Sequence, residues 1–403
     1  MQRPCKMVKY LSQLGWQVDV ITAKEIVYHS KDETLLSECR AHKITRTASL
    51  DPMYLMNKLK NFLGIDTQKL YFNTRSDHKR KIKQLFPVDD KIGWVPFAIR
   101  AGKQALLTNR YNAVMVTCGP FSSALAARYI ARKGKIPFIL DYRDHWTLSN
   151  IAVQPKGIFF RLLQFIEKKC LDSADLVLTA TECMKQDLAN HFGSNIISKT
   201  MPFFNGWDEA DFVNMSRQRK EDGKIRISYI GAFYGQRSLT PLFNALVQFR
   251  EKYPERDFEF LFVGNFYPET HLEAEQSSIR NKITFIPQQP HAQAIQIMLD
   301  SDILILVIGG EEYKWVLSGK LFEYLRSQRH ILAMVHPDSE AAKILNDCGH
   351  SAICPIDDTE AIRRCFEQLF SNDNYNQYKI PGQFERSTQV KNLHDKLNSL
   401  CNI

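Results

Sequence analysis

The fold is decided by one stretch: Ile303-Leu304-Ile305-Leu306-Val307-Ile308, the loop Gly309–Leu317, then Ser318-Gly319-Lys320-Leu321-Phe322-Glu323-Tyr324-Leu325. The six leading residues form a continuous apolar run, the mark of a strand buried on both faces of a parallel sheet. The last eight open a helix. The first turn of a helix offers unpaired backbone N–H groups and the positive end of its dipole, so it can hold a diphosphate. Gly319 permits close approach of the backbone, and Lys320 adds a cation. Glu323 lies one turn further along the same face, placed to accept hydrogen bonds from ribose hydroxyls. The same spacing also describes an ordinary amphipathic helix with a Lys–Glu pair.

Similar runs recur on both sides. Ile225–Ile230, Phe258–Val263, Ile283–Ile286, His330–Val335 and Ser351–Ile353 read as strands, separated by helices at about 239–252, 290–300, 319–327, 338–348 and 358–371. The first half has strands at Val18–Thr22, Ala113–Thr117, Pro137–Asp141 and Leu176–Thr179, with helices at Cys5–Leu14, Ser122–Lys133 and Phe159–Ser173. This alternation predicts an α/β chain of two doubly wound, Rossmann-like domains. The boundaries expected are 1–205, 206–383 and a closing helical segment 384–403, with the junction at the polar stretch 205–223. The first half opens on a helix, whereas a doubly wound domain normally opens on a strand and a glycine-rich turn. Either the natural start lies upstream, by about 15–25 residues, or this copy lacks a central strand.

Other segments carry candidate chemistry. Tyr229-Ile230-Gly231 ends a strand, and the loop to Gly235-Gln236-Arg237 would let a phosphate approach Gly231 and pair with Arg237. A plain strand-to-helix turn fits equally. Asp141-Tyr142-Arg143-Asp144-His145-Trp146 ends another strand, where open α/β sheets bind ligands. Asp144 and His145 are the candidate polar groups for an acceptor hydroxyl, against a simple Asp–Arg bridge ordering the loop. Ser122 reads as an N-cap. Asp300-Ser301-Asp302 has the form of a carboxylate metal site, but Asp302 reads better as a turn residue before the strand.

The 403 residues carry 53 basic and 44 acidic side chains, a net charge of +9. Residues 1–205 hold 31 basic against 17 acidic groups and the remainder 22 against 27. The basic half is expected to meet an anionic membrane or acceptor surface, or to be a solvated face without a partner. No nucleic-acid module accompanies the charge, so nucleic acid is not an expected partner. The segments 52–63 and 157–171 mix Phe, Leu and Met with Lys and Arg, as helices lying in a membrane interface do. Neither the nine cysteines nor the eleven histidines show zinc spacing. The cysteines read as reduced, mostly buried thiols, and neither a signal peptide nor a spanning helix is evident, so a cytoplasmic setting is expected.

These segments together resemble glycosyltransferases of the GT-B fold, near the family 4 retaining enzymes and most like bacterial members of polysaccharide assembly. The resemblance runs through Gln2-Arg3-Pro4, Gly93-Trp94-Val95-Pro96-Phe97-Ala98, Gly119-Pro120-Phe121-Ser122, Asp141–Thr147, Asn205-Gly206-Trp207-Asp208, Gly231–Arg237 and Gly319–Leu325, the last being the most specific. It implies two domains facing across a cleft. A sugar would pass from a nucleotide-sugar donor to a glycan or lipid-linked acceptor, with retention, no cofactor and no metal. Gly231, Arg237, Ser318, Gly319 and Lys320 would meet the diphosphate, Glu323 the ribose, and Asp144 and His145 the acceptor.

The sequence departs from the pattern in places. Relatives often carry two glutamates eight positions apart; Glu323 matches the second, but Trp315 stands at the first, with Glu311 and Glu312 nearby. Ala124 stands where a histidine is common, and Met1 directly precedes Gln2, where relatives carry a strand and a glycine-rich loop. Two other readings remain: a sugar-nucleotide epimerase of similar shape, and a degenerate, non-catalytic binding protein.

Overall fold

The computed structural model describes residues 2–24, 38–50, 88–151, 154–219, 223–231, 238–371 and 378–403. The chain divides into two compact units, Met1–Phe204 with Ser387–Ile403, and Asn205–Arg386.

The second unit is a six-stranded parallel sheet. Its strands are β7 (Ile225–Ile230), β8 (Phe258–Val263), β9 (Ile283–Ile286), β10 (Ile303–Gly309), β11 (His330–Val335) and β12 (Ile353–Cys354), in the spatial order β12-β11-β10-β7-β8-β9. The order reverses between β7 and β10, where Ile303 and Leu304 pair with Ile227 and Ser228. Such a reversal opens a crevice at the strands' carboxyl ends, where ligands of doubly wound sheets bind. The core is rich in phenylalanine. Phe258, Phe260 and Phe262 alternate along one face of β8 and pack with Phe243, Phe249, Phe366 and Phe370, all buried. The expected strand at Ser351–Ile353 is shorter and later, at Ile353–Cys354, because only Ala333 and Met334 of β11 offer it partners.

The first unit opens on α1 (Gln2–Gln13), which starts three residues earlier than expected. Arg3 and Lys6 lie buried on its inner face, so charged residues occupy positions that helical periodicity reserves for apolar ones. Strands β1 (Asp19–Ala23) and β2 (Lys43–Thr47) form one parallel pair. A separate four-stranded sheet holds β3 (Val114–Thr117), β4 (Phe138–Tyr142), β5 (Leu176–Thr179) and β6 (Thr200–Pro202), in that order. No strand among the described residues joins the two sheets. The helices are α2 (Val95–Thr108), α3 (Ser123–Gly134), α4 (Ile158–Ser173) and α5 (Glu182–Phe192). In the second unit follow α6 (Thr240–Lys252), α7 (Pro268–Gln276), α8 (His291–Asp300), α9 (Gly319–Ser327), α10 (Glu340–Asp347) and α11 (Thr359–Phe370). The last helix, α12 (Arg386–Cys401), returns to the first unit. There Val390, Leu393 and Leu397 pack with Met7, Leu11 and Ile139.

All nine cysteines are free; five are buried and four partly so. No described helix is long and apolar enough to cross a membrane.

Candidate functional site

The carboxyl ends of β7 and β8 and the start of α9 converge. Tyr324, fully buried on α9, accepts the backbone N–H of Ile230 at 3.1 Å. This bond clips the helix beneath the end of β7, and burial pushes the phenol's pKa up, keeping it neutral. Lys320 lies one turn earlier on the same face. Its ammonium donates to the Tyr229 hydroxyl at 2.8 Å and stands 4.1 Å from the centre of that ring.

The lysine stem fills the space above Gly231. A Cβ built there would lie 2.5 Å from Lys320 Cε, and Gly231 has a φ of +112°, which side-chain-bearing residues rarely adopt. Gly264, after β8, is constrained in the same way: a Cβ on it would lie 2.6 Å from the Gly231 carbonyl oxygen. Two adjacent strand ends are thus pared to bare backbone where Lys320 arrives. Ser318 caps α9, its side chain accepting from the Lys320 N–H at 3.3 Å. Asn205 donates to the Leu317 carbonyl at 3.0 Å, and Arg326 makes a two-pronged pair with Glu209. Asn205 and Glu209 therefore brace α9 at its start and in its last turn, respectively.

Glu323 is 2.9 Å from Nε2 of His291, whose Nδ1 is 3.8 Å from Asp211. These three side chains are largely buried. Neither His291 nor Asp211 stood out in the sequence; both are 32 or more positions from Glu323, and only the fold brings them together. Gly264 carries in the sequence only the weak signal of a glycine after a strand. Arg237 lies outside the described residues. The structure thus gathers Gly231, Ser318, Gly319, Lys320 and Glu323 on one edge of the second unit.

The Asp-x-Asp segment has another role. Asp302 takes Arg217 and Arg219 at 2.6 Å each and the Arg226 N–H at 2.8 Å, while Asp300 accepts the Gln218 and Arg219 amides. Asp302 sits in the bend before β10, as expected, and is in addition an ion-pair hub. Near Trp315, Glu311 is exposed and engages Lys314 at 2.8 Å and His336 at 3.0 Å.

In the first unit, Asp144 is exposed just past β4, and His145 is buried. His145 Nε2 shares a 3.1 Å hydrogen bond with Asp187 of α5. Burial lowers its pKa, against the opposing pull of Asp187. The loop is braced from α4: Glu167 accepts the Thr147 N–H at 3.0 Å and the Tyr142 hydroxyl. Its ion pair is Arg3 with Asp141, both buried, rather than one within the loop; Arg3 also donates to the Phe203 carbonyl. Ser122 does not cap α3 with its side chain, as expected of it. Its backbone is already helical, and its hydroxyl and N–H both donate to Asp89 at 2.7 Å.

A parallel sheet of switch-point order with a helix start at its carboxyl edge defines the class of doubly wound α/β units. Residues 74–196 match the family model described as a glycosyl transferase 4-like domain. No curated protein matches by sequence. Among solved structures, sucrose-phosphate synthase from Thermosynechococcus elongatus aligns with a TM-score of 0.63 at 13% identity, over 98% of this chain and 92% of that one. The UDP-forming trehalose-phosphate synthase from Burkholderia vietnamiensis gives 0.59 at 10% identity, over 96% and 99%. UDP-GlcNAc 2-epimerase from Neisseria meningitidis gives 0.51 at 14% identity, over 95% and 100%. The chain has the GT-B fold of two Rossmann-like units.

Proposed function

We propose that the protein moves a sugar from a nucleoside-diphosphate donor to a glycan or lipid-linked acceptor, with retention and without a metal cofactor. The observation that carries this reading is Lys320 at the capped start of α9, seated over Gly231 at the switch point of the sheet. A departing nucleoside diphosphate develops negative charge, which amide dipoles and an ammonium placed in advance stabilise. In this reading the backbone of Ser318 and Gly319, with Lys320 and Arg237, receives the diphosphate, and Glu323, steadied by His291, holds the ribose. Asp144 and His145 serve the acceptor.

The glycosyl transferase 4-like match of residues 74–196 favours transfer over epimerisation. The epimerase from Neisseria meningitidis was solved with UDP-GlcNAc, so a UDP-sugar is the first donor to try. The test is a panel of sugar nucleotides assayed by thermal shift, followed by product analysis with and without acceptor. Transfer that needs both partners supports the reading. Isomerised donor formed without acceptor contradicts it.

A further inference from the structure

Helix α4 buries Leu163, Glu167, Cys170 and Leu171 on its inner side. Its outer side is also apolar. Ile158, Phe159, Leu162 and Phe165 are 78%, 63%, 46% and 57% exposed. Ile158, Leu162 and Phe165 follow the i, i+4, i+7 spacing of one helical stripe, and Lys169 continues it, its ammonium 5.3 Å from the Phe165 ring. Four large apolar side chains facing water on one helix form a contiguous patch, unlike the scattered exposed leucines of an ordinary surface.

The unpaired charge on α4 and on its neighbour α3 has one sign. Arg161, Lys168 and Lys169 are exposed on α4. Its two acidic groups are engaged: Glu167 is buried under the β4 loop, and Asp172 pairs with Lys168 at 3.2 Å. The neighbouring helix α3 contains no acidic residue and exposes Arg132 and Lys133 beside the half-exposed Tyr129. A second protein surface would need matching acidic groups in fixed positions. A lipid bilayer needs only an apolar interior under a diffuse negative surface, which this face complements.

We propose that the outer face of α4 docks the protein on an anionic lipid surface, with Phe159, Leu162 and Phe165 entering the interface and the flanking lysines and arginine meeting headgroups. Through Glu167, the docked helix also holds the loop that carries Asp144 and His145. The inference deepens the proposed lipid-linked acceptor. Its test reads lipid binding alone, so its failure and that of the transferase reading are separately visible.

The experiment is flotation of the full chain with vesicles of phosphatidylcholine, alone or mixed equally with phosphatidylglycerol. The expected result is flotation with the mixed vesicles only, weakened at high salt. The combined substitution Phe159→Ser, Leu162→Ser and Phe165→Ser lowers the partition by at least ~10-fold, because each removes apolar area from the interface. Arg161→Glu with Lys169→Glu also lowers it, and decides the matter should the serine variant melt early. Absence of the parent chain from the anionic vesicle fraction overturns the proposal, as does equal flotation of parent and folded variants. A dimer in sedimentation velocity that the serine substitutions disperse, without flotation, also overturns it and gives the face to a second copy.

Discussion

The Lys320 ammonium lies directly against Tyr229, hydrogen-bonded to its hydroxyl at 2.8 Å and 4.1 Å from its ring centre, so a helix start and a strand end are joined through one cation. The contact fixes where positive charge sits relative to the α9 amides. Replacing Lys320 with Met keeps the apolar stem and removes the charge. In the proposed mechanism this slows turnover by roughly 10²–10³, the usual effect of losing one group aimed at developing charge. Steady-state kinetics with the donor found by screening would measure it.

Gly231→Ala is expected to be worse for binding than its size suggests. The added methyl group meets the lysine stem and the residue must hold a φ of +112°. Strain of this kind costs about 1–3 kcal/mol. A thermal melt would register the destabilisation, and donor affinity would fall because Lys320 must swing away. Unchanged melting and affinity would contradict the described geometry.

Tyr324→Phe removes the acceptor for the Ile230 N–H, a buried donor. An unsatisfied buried donor costs about 1–3 kcal/mol, which urea denaturation resolves. In the first unit, Arg3→Ala leaves the fully buried Asp141 carboxylate uncompensated. Breaking a buried pair from one side costs about 3–5 kcal/mol. That loss would appear in the same experiment as an early transition of the first unit.

Histidines set the acid response. His350 is buried, stacked 3.7 Å from Tyr378, and neither ring nitrogen has a hydrogen-bond partner among the described residues. Burial lowers its pKa to about 3. Above the unfolded value near 6.5, both states are neutral and the group contributes no pH dependence. As pH falls below that value the unfolded state binds the proton first, so stability drops progressively until the folded pKa is reached. His145, lowered by its burial, acts in the same direction. His350→Phe should therefore flatten the decline in urea midpoint between pH 7 and pH 4. An equally steep decline in the variant would show that the acid lability arises elsewhere.

Much of the second unit was legible because buried parallel strands are written as continuous apolar runs. His330–Val335 lies where its sequence places it, and the runs at 225–230 and 258–263 coincide with β7 and β8. β2 was not legible, since Lys43-Ile44-Thr45-Arg46-Thr47 holds one large apolar residue, itself exposed, and leaves no apolar run. In the site, helix-start chemistry at Ser318–Lys320 could be read locally. His291, Asp211 and Gly264 could not, because their relevance depends on strand order and not on any neighbour in sequence. Ser122 misled for a related reason: a local cap was expected, but Asp89, 33 residues away, takes both donors.

The most direct test is calorimetric titration of uridine diphosphate and UDP-sugars into the parent chain and into Lys320→Ala. The account predicts saturable binding by the parent of at least one of these ligands, weakened by about tenfold or more when a charge-assisted contact to phosphate is lost. Equal affinity in both proteins would contradict the claim that the start of α9 receives the diphosphate.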